Sequence, residues 1–353
     1  MAGIQDTVNN TAEQVLPFRF WWGFAFCAAV MGLIVALGPY SDSSMFVPDH
    51  GSFWYYWQLK EPTVVTRLSA WLPYTAHIVS IWFLIYQAKH AQPRYILGLH
   101  RFNLWALGVN AFFVLLHIAQ TKYFYDGLAQ DVHETTSMGS VIIMLFLILI
   151  MENNRRGMFF GKKLGFMTGV GDAVKRYHGY YIAWAIIYTF WYHPVETTSG
   201  HLAGFAYMFL LLLQSSLFFT RYHVNRTWTM FLEALFVIHG AAVAAFILNP
   251  GQHQFWSQFL FGGMAIFLIT QMHGLGLSTR GKLWVAAPLV AIMLVFYFNN
   301  PDLLPWLATL PATMYLGSVL LFGILWLLGR VGHLLPRSAD AEMADPVQSS
   351  GAS

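Results

Sequence analysis

A chain of 353 residues with only 10% charged side chains, 57% apolar side chains and a net charge of +3 differs from a soluble protein, because soluble domains carry about 25% charged residues. Its mean hydropathy of +0.52 and its 14 Trp, 17 Tyr and 30 Phe residues are typical of a chain that meets both interfaces of a membrane. This composition excludes a soluble enzyme, a nucleic-acid-binding protein and a secreted disulfide scaffold. We predict an all-α fold, a polytopic bundle of about ten transmembrane helices in contact with membrane lipid.

The predicted spans follow from length, since a helix needs about 20 mostly apolar residues to cross a hydrocarbon core of about 30 Å. Ten segments meet or nearly meet this requirement: 18–37, 68–88, 97–119, 137–151, 177–193, 201–220, 228–248, 255–273, 283–298 and 311–328. They predict one integral membrane domain over residues 1–335, with a His-rich core at about 68–275. The small, polar segment 336–353 predicts a disordered cytoplasmic tail.

Basic residues in the short loops predict the orientation, because cytoplasmic loops are enriched in Lys and Arg. Every strongly basic loop falls on the same side of a ten-span count. The connection between the fourth and fifth spans holds six such residues: Arg155, Arg156, Lys162, Lys163, Lys175 and Arg176. We therefore expect both termini in the cytoplasm of a bacterial cell and the spans in its inner membrane. The aromatic stretch SFWYYWQL (52–59) is expected to lie along the outer interface.

Fourteen histidines are many for so apolar a chain, and ionisable groups at membrane depth mark functional sites. The third span has His100 and His117 near its two ends, 17 residues apart, and the fifth has His178 and His193, 15 residues apart. At 1.5 Å per residue these separations are roughly 25 Å and 22 Å. Two helices with an imidazole at each end is an arrangement that holds two b-type haems, one in each leaflet.

The residues RYILGLHRFNLWALGVNAFFVLLH (94–117) and KRYHGYYIAWAIIYTFWYH (175–193) resemble the ferric-reductase-like and related b-type cytochrome membrane domains. The resemblance implies haem b held by His100 and His178 on the inner side, and by His117 and His193 on the outer side. Those families commonly append a flavin and nicotinamide domain, which we do not expect here. The leading hypothesis is therefore a membrane redox protein, an oxidoreductase if it is an enzyme. It would carry electrons across the bilayer and exchange them with a quinone or a partner redox subunit.

A metal site is the alternative hypothesis. The stretch HPVETTSGH (193–201) places two histidines and a carboxylate across a tight connection in which Pro194 ends one helix and the Thr-Thr-Ser run caps the next. Imidazoles and carboxylates together suit non-haem iron, copper or zinc, which would act on a lipophilic substrate at the outer side. The histidine boxes of membrane desaturases and the HExxH motif are absent from the sequence. The candidate metal ligands are His117, His193, Glu196, His201 and His239.

Two carboxylates are candidate catalytic groups. Glu196 is a ligand or base in the metal hypothesis. Glu233 lies on an otherwise apolar span and is expected either to form an ion pair with Arg226 or Arg221 or to relay protons. Buried imidazoles also need hydrogen-bond partners, for which the candidates are Gln120, Tyr74 and Glu233. A cofactor-free transporter is a second alternative, ranked last because paired helix breaks are not evident.

Overall fold

The computed structural model of the protein describes residues 20–40, 44, 58–91, 93–245 and 253–331. Ten helices of 17 residues or more lie in these ranges, and no strand does, which confirms the all-α prediction. The helices are α1 (Trp21–Leu37), α2 (Val64–Ala91), α3 (Arg101–Phe124), α4 (Glu134–Arg156), α5 (Thr168–Tyr192), α6 (Ser199–Ser216), α7 (Arg226–Val243), α8 (His253–Ile269), α9 (Thr279–Asn299) and α10 (Thr309–Val331). The predicted tail and most of the aromatic stretch at 52–59 lie outside the described residues.

Seven of these helices, α1 to α4 and α8 to α10, are long and apolar enough to cross a membrane. This finding supports the prediction of an integral membrane protein. The remaining three, α5, α6 and α7, are not among these candidate spans. The sequence predicted the end of α5 from Pro194 and the start of α6 from the Thr-Thr-Ser run. α5 ends at Tyr192, just before Pro194, and the Thr198 hydroxyl caps α6 by accepting a hydrogen bond from the His201 amide at 3.3 Å, as expected.

Six helices form a closed ring in the order α4, α5, α6, α7, α8 and α10, with α10 packing back onto α4. The other helices pack on the outside of this ring. α2 contacts α5, α3 contacts both α2 and α6, α1 contacts α6, and α9 contacts α8. Large apolar side chains on α9 are exposed, with Trp284 81% and Phe298 87% accessible. Such side chains are suited to lipid. Ring helix α10 also exposes apolar side chains, with Leu316 70% and Leu320 67% accessible, so helices of both groups contribute to the apolar surface.

Close approach between ring helices depends on glycine at three contacts. A Cβ atom at Gly263 of α8 would overlap Val237 of α7, and one at Gly317 of α10 would overlap Phe146 of α4. A Cβ atom at Gly262 of α8 would lie 2.9 Å from Leu310 of α10. Small residues let membrane helices pack closely where the hydrophobic effect between helices is absent.

The two ends of the bundle are named here by their connections. The α5–α6 end contains residues 193–198, and the α6–α7 end contains residues 217–225. At the α6–α7 end, the Arg156 guanidinium at the end of α4 donates through Nη1 to both carboxylate oxygens of Glu233 on α7, at 3.0 and 2.8 Å. Their side chains are 3% and 14% exposed. The prediction that Glu233 pairs with Arg226 or Arg221 is thus wrong. The reason is that the end of α4 reaches across the ring to α7.

Replacing Glu233 by Gln should destabilise the protein by about 3 kcal/mol, because removing one partner of a buried pair leaves an uncompensated charge. The measurement is the free energy of unfolding in detergent micelles. The matched control is Glu152→Gln, whose partner Arg155 is 35% exposed, so its loss should stay under about 1 kcal/mol. Equal losses in the two variants would contradict the structural role given to the Arg156–Glu233 pair.

Candidate functional site

A polar stripe runs along α3. It consists of Asn103, Asn110 and His117, which are spaced seven residues apart and so share one face of the helix. All three are buried, with 0%, 5% and 0% of their surface exposed. Polar groups at this depth must find hydrogen-bond partners inside the protein, since lipid offers none.

The two asparagines of the stripe bind the end of α6. The Asn103 amide donates to the carbonyl oxygens of Ser216 at 2.8 Å and Phe218 at 2.9 Å. The Asn110 amide donates to the Ser216 hydroxyl at 2.8 Å. The last carbonyls of a helix have no partner within that helix, so α3 supplies the donors that the buried end of α6 needs.

His77 of α2 joins the same network. Its Nδ1 accepts a hydrogen bond from the Trp191 indole at 3.2 Å, so the proton lies on Nε2, which donates to the Asn110 side-chain oxygen at 2.7 Å. The ring also stacks on Phe113, with centroids 4.5 Å apart. Both nitrogens of this fully buried neutral imidazole are therefore satisfied by the protein, and His77 acts as a connector between α2, α3 and α5.

Replacing Asn110 by Leu should lower the free energy of unfolding by about 1–2 kcal/mol, because His77 Nε2 and the Ser216 hydroxyl would each lose a buried partner. The measurement is again unfolding in micelles.

The control for this change is Asn299→Leu. Asn299 donates only to the Val295 carbonyl of its own helix at an exposed position, so the change there should cost much less. A stability of the Asn110 variant equal to that of the control would show that the stripe does not stabilise the bundle.

His117 lies at the end of the stripe that faces the α5–α6 connection. Its Nδ1 contacts the Gln120 side-chain oxygen at 2.9 Å, and its Nε2 contacts the His193 carbonyl oxygen at 2.8 Å. The Gln120 amide donates to the Asp126 carbonyl at 2.9 Å, which fixes its oxygen toward His117. Gln120 is thereby confirmed as the predicted partner of a buried histidine. Both ring nitrogens of His117 are in contact with protein atoms, so neither is open to an added ligand.

This geometry does not fit haem between the predicted pairs. His117 Nε2 lies 2.8 Å from the His193 carbonyl oxygen, a distance that leaves no space for a porphyrin between these two atoms. At the other end, His100 Nε2 bonds to the Arg94 carbonyl at 3.1 Å, and the ring next to His178 is that of His223, with centroids 6.2 Å apart. Haem ligation by His100, His117, His178 and His193 therefore remains a prediction of the sequence that this arrangement does not favour.

Asp126, just beyond α3, carries a titratable group beside this network. The residue is 2% exposed, and burial raises the pKa of its carboxyl from 3.8 to about 6, although the Gly127 amide donates to it. Gly127 itself is required here, because a Cβ would lie 2.8 Å from the Tyr192 carbonyl oxygen. The loop after α3 is thus pressed against the end of α5.

The raised pKa predicts a stability that falls as the pH rises. Between pH 3.8 and about 6 the folded protein holds a proton on Asp126 that the unfolded chain has lost. The free energy of unfolding therefore decreases over this window, by an amount on the order of 2 kcal/mol. The Asp126→Asn variant should lack this component, so its stability relative to the wild type should increase from pH 4 to pH 7.

Asp302→Asn is the control for this comparison, because Asp302 is exposed. It shows how far the loss of an exposed carboxylate alone changes stability. A stability difference between Asp126→Asn and the wild type that does not change from pH 4 to pH 7 would rule out the protonated carboxyl.

A cavity of about 410 Å³ opens between α4, α5, α6 and α7, inside the helix ring and toward the α5–α6 end. Most of its lining is apolar, from Met, Val, Phe, Leu, Ile and Ala side chains. Polar groups are grouped at its α5–α6 end and at its deep wall. They are Glu134, Ser137, Thr189, Tyr192, His193, Thr198, His201, Tyr207 and His239. A concave apolar space with a few polar groups is the usual form of a small-molecule site.

Three of the sequence-predicted site residues line this cavity. The rings of His193 and His201 are perpendicular, with centroids 5.8 Å apart, and His201 Nδ1 is held by the Thr198 hydroxyl at 2.8 Å. On the deep wall His239 lies 5.8 Å from the Tyr207 ring. The sequence therefore identified imidazoles that the fold brings to one space.

The other predicted residues lie elsewhere. Glu196 is buried 4.0 Å from the Lys122 ammonium and is not part of the cavity wall. Glu233 is held by Arg156, and His117 is held within the α3 network. Among the described residues, no group of three or more His, Cys, Asp or Glu side chains is arranged to hold a metal ion. The five predicted metal ligands thus do not converge on one point.

Sequence reasoning missed Tyr207, Asn110 and the role of Glu134 as a lining residue. The seven-residue spacing of Asn103, Asn110 and His117 was a signal that could have identified the stripe. Tyr207 follows His201 by six residues on α6, with Gly204 between them, but nothing in that pattern indicates a cavity. Tyr207 lines the cavity because α6 packs against α7, a contact that the sequence pattern does not indicate.

No protein-family model matches the sequence, and neither the comparison with curated proteins nor that with solved structures found a significant match.

Proposed function

We propose that all ten long helices span the membrane of a bacterial cell and that the α6–α7 end is cytoplasmic, together with both termini. Two observations support this orientation. The basic residues Arg155, Arg156, Arg221 and Arg226 are grouped at the α6–α7 end or next to it, as expected for a cytoplasmic face. α5, α6 and α7 alternate direction within a ring whose other members are apolar enough to cross a membrane. The cavity then lies in the outer half of the bilayer.

We propose further that this cavity binds a lipophilic molecule with a polar head group. The observation that carries this proposal is the grouping of three imidazoles with the Tyr207 hydroxyl in an otherwise apolar space of about 410 Å³. Apolar walls hold a hydrophobic body, whereas a small number of polar groups fix its orientation.

Quinones are the class that these groups suit best. A quinone offers hydrogen-bond acceptors on an apolar ring, and a neutral imidazole carries one N–H that can donate to such an acceptor. The Tyr207 hydroxyl donates to the Leu232 carbonyl at 3.1 Å, which keeps it fixed toward α7 beside His239. Electrons for such a quinone would come from a partner redox protein in or at the membrane.

This proposal keeps the lipophilic substrate of the metal hypothesis and the quinone of the haem hypothesis. It requires neither bound haem nor a bound non-haem metal ion. Iron, copper or zinc binding and haem binding are separate outcomes. A reduced-minus-oxidised optical spectrum of the purified protein determines whether haem is bound. Elemental analysis determines whether iron, copper or zinc is bound.

Filling the cavity tests the proposal directly. A Cβ at Gly204 meets no atom within 4 Å, and Gly204 lines the cavity. Gly204→Leu should therefore occupy ligand space without a clash and should not weaken α6, since leucine is the better helix former. We expect a short-chain benzoquinone to bind the wild type in calorimetric titration and to bind this variant at least tenfold more weakly.

Gly108→Leu is the matched control, because Gly108 is also on a helix and a Cβ there also meets nothing, but it lies outside the cavity. It should bind the quinone as the wild type does. His239→Leu should weaken binding about tenfold through the loss of one hydrogen bond. Absence of quinone binding to the wild type, or equal binding to the Gly204 and Gly108 variants, would refute this site.

A further inference from the structure

Two histidines face each other at the α6–α7 end, away from the cavity. His178 lies in the third turn of α5, and His223 lies in the connection between α6 and α7. Their ring centroids are 6.2 Å apart, and the rings are inclined by 34°. They come from segments that are 45 positions apart in the chain, so this contact is a product of the fold and not of local spacing.

Each ring has the same nitrogen occupied by the backbone. His178 Nδ1 contacts the Lys175 carbonyl oxygen at 2.6 Å, and His223 Nδ1 contacts the Gln214 carbonyl oxygen at 3.0 Å. A carbonyl only accepts hydrogen bonds, so Nδ1 carries the proton in both rings. Nε2 is then the nitrogen with the lone pair on each neutral imidazole. Hydrogen bonding of one ring nitrogen to a carbonyl is how metal-binding histidines are commonly held.

Further contacts hold the His223 segment in place. The Gln214 side chain donates to the His223 carbonyl at 3.0 Å and accepts from the Trp228 indole at 2.6 Å. The Thr220 hydroxyl accepts from the His223 amide at 3.3 Å. The His223 ring is thus held by the Gln214 carbonyl of α6, and the His178 ring is held by the Lys175 carbonyl of α5. Such an arrangement presents both rings without the entropy loss of ordering them on binding.

We propose that His178 and His223 form a binding site for a divalent transition-metal ion, with Nε2 of each ring as ligand and water in the remaining positions. With metal–nitrogen distances of about 2.0–2.1 Å, two imidazoles on one ion have ring centres about 5–6 Å apart. The observed separation of the ring centroids, 6.2 Å, is close to this range. Imidazole nitrogen suits zinc, copper and nickel. The ion would tie α5 to the α6–α7 connection, and both rings are only partly buried, which leaves access from solvent.

This site is independent of the quinone proposal, because neither histidine lines the cavity. It also differs from the haem prediction, in which His178 pairs with His100. Two protein ligands hold an ion less tightly than a closed four-ligand site, so we expect exchangeable binding and not a structural ion that survives purification against a chelator.

The test is titration of tag-free, chelator-treated protein in detergent with Zn²⁺, followed by calorimetry. The wild type should bind one ion per chain, and His178→Gln and His223→Gln should each weaken binding at least tenfold. The matched control is His90→Gln. His90 also bonds a backbone carbonyl through Nδ1, but its ring contacts Tyr86, so its variant should bind Zn²⁺ as the wild type does.

A second measurement does not depend on variants that fold. Electron paramagnetic resonance of Cu²⁺ added to the wild type at one equivalent should show coupling to two imidazole nitrogens. Coupling to one nitrogen or to none, or equal Zn²⁺ affinity in all four proteins, would overturn the assignment. Quinone binding should be unchanged in the His178 and His223 variants. The metal proposal and the quinone proposal can therefore fail independently of each other.

Discussion

The structure depends on the need to satisfy backbone carbonyl groups where membrane helices end inside the protein. Water supplies these partners in a soluble protein, but the bilayer interior does not. Here α3 supplies them. Asn103 and Asn110 donate to groups at the end of α6, and His117 contacts the carbonyl of His193 just past α5. One helix outside the ring thus fixes where two ring helices end, and thereby the position of the connection that carries His193 and His201.

The cavity takes its polar lining from neighbouring helices of the ring. α5, α6 and α7, together with the connection between α5 and α6, supply most of these polar groups. Tyr207 on α6 and His239 on α7 are examples, since each lies on a helix that is otherwise largely apolar. Both of these polar side chains line the space between the helices.

The all-helical fold and the ends of several helices were predictable from the sequence, because they depend on local properties. Apolar length gave the helices, and Pro194 and Thr198 marked the α5–α6 connection. Contacts between distant segments were not predictable. The pairing of Arg156 with Glu233 spans 77 positions, and the meeting of His178 with His223 depends on how α5 packs against α6. The histidines were identified as a group because an imidazole in an apolar segment is unusual in itself. Which histidines connect helices, which line the cavity and which lie near the surface depends on how distant helices pack together. The residues next to each histidine in the sequence do not determine that packing.

The α3 stripe also imposes an order on biogenesis. Asn110 finds His77 on the helix just before it, 33 positions away, so α2 and α3 can form this contact as a hairpin while the chain is still being made. The partners of Asn103 at Ser216 and Phe218 lie 113 and 115 positions further on. At 5–20 residues per second, a ribosome needs roughly 6–23 seconds to produce them. During that interval the Asn103 amide lacks its final acceptors. The contacts of the α3 stripe are therefore complete only after α6 has been made, although its contact with α2 can form much earlier.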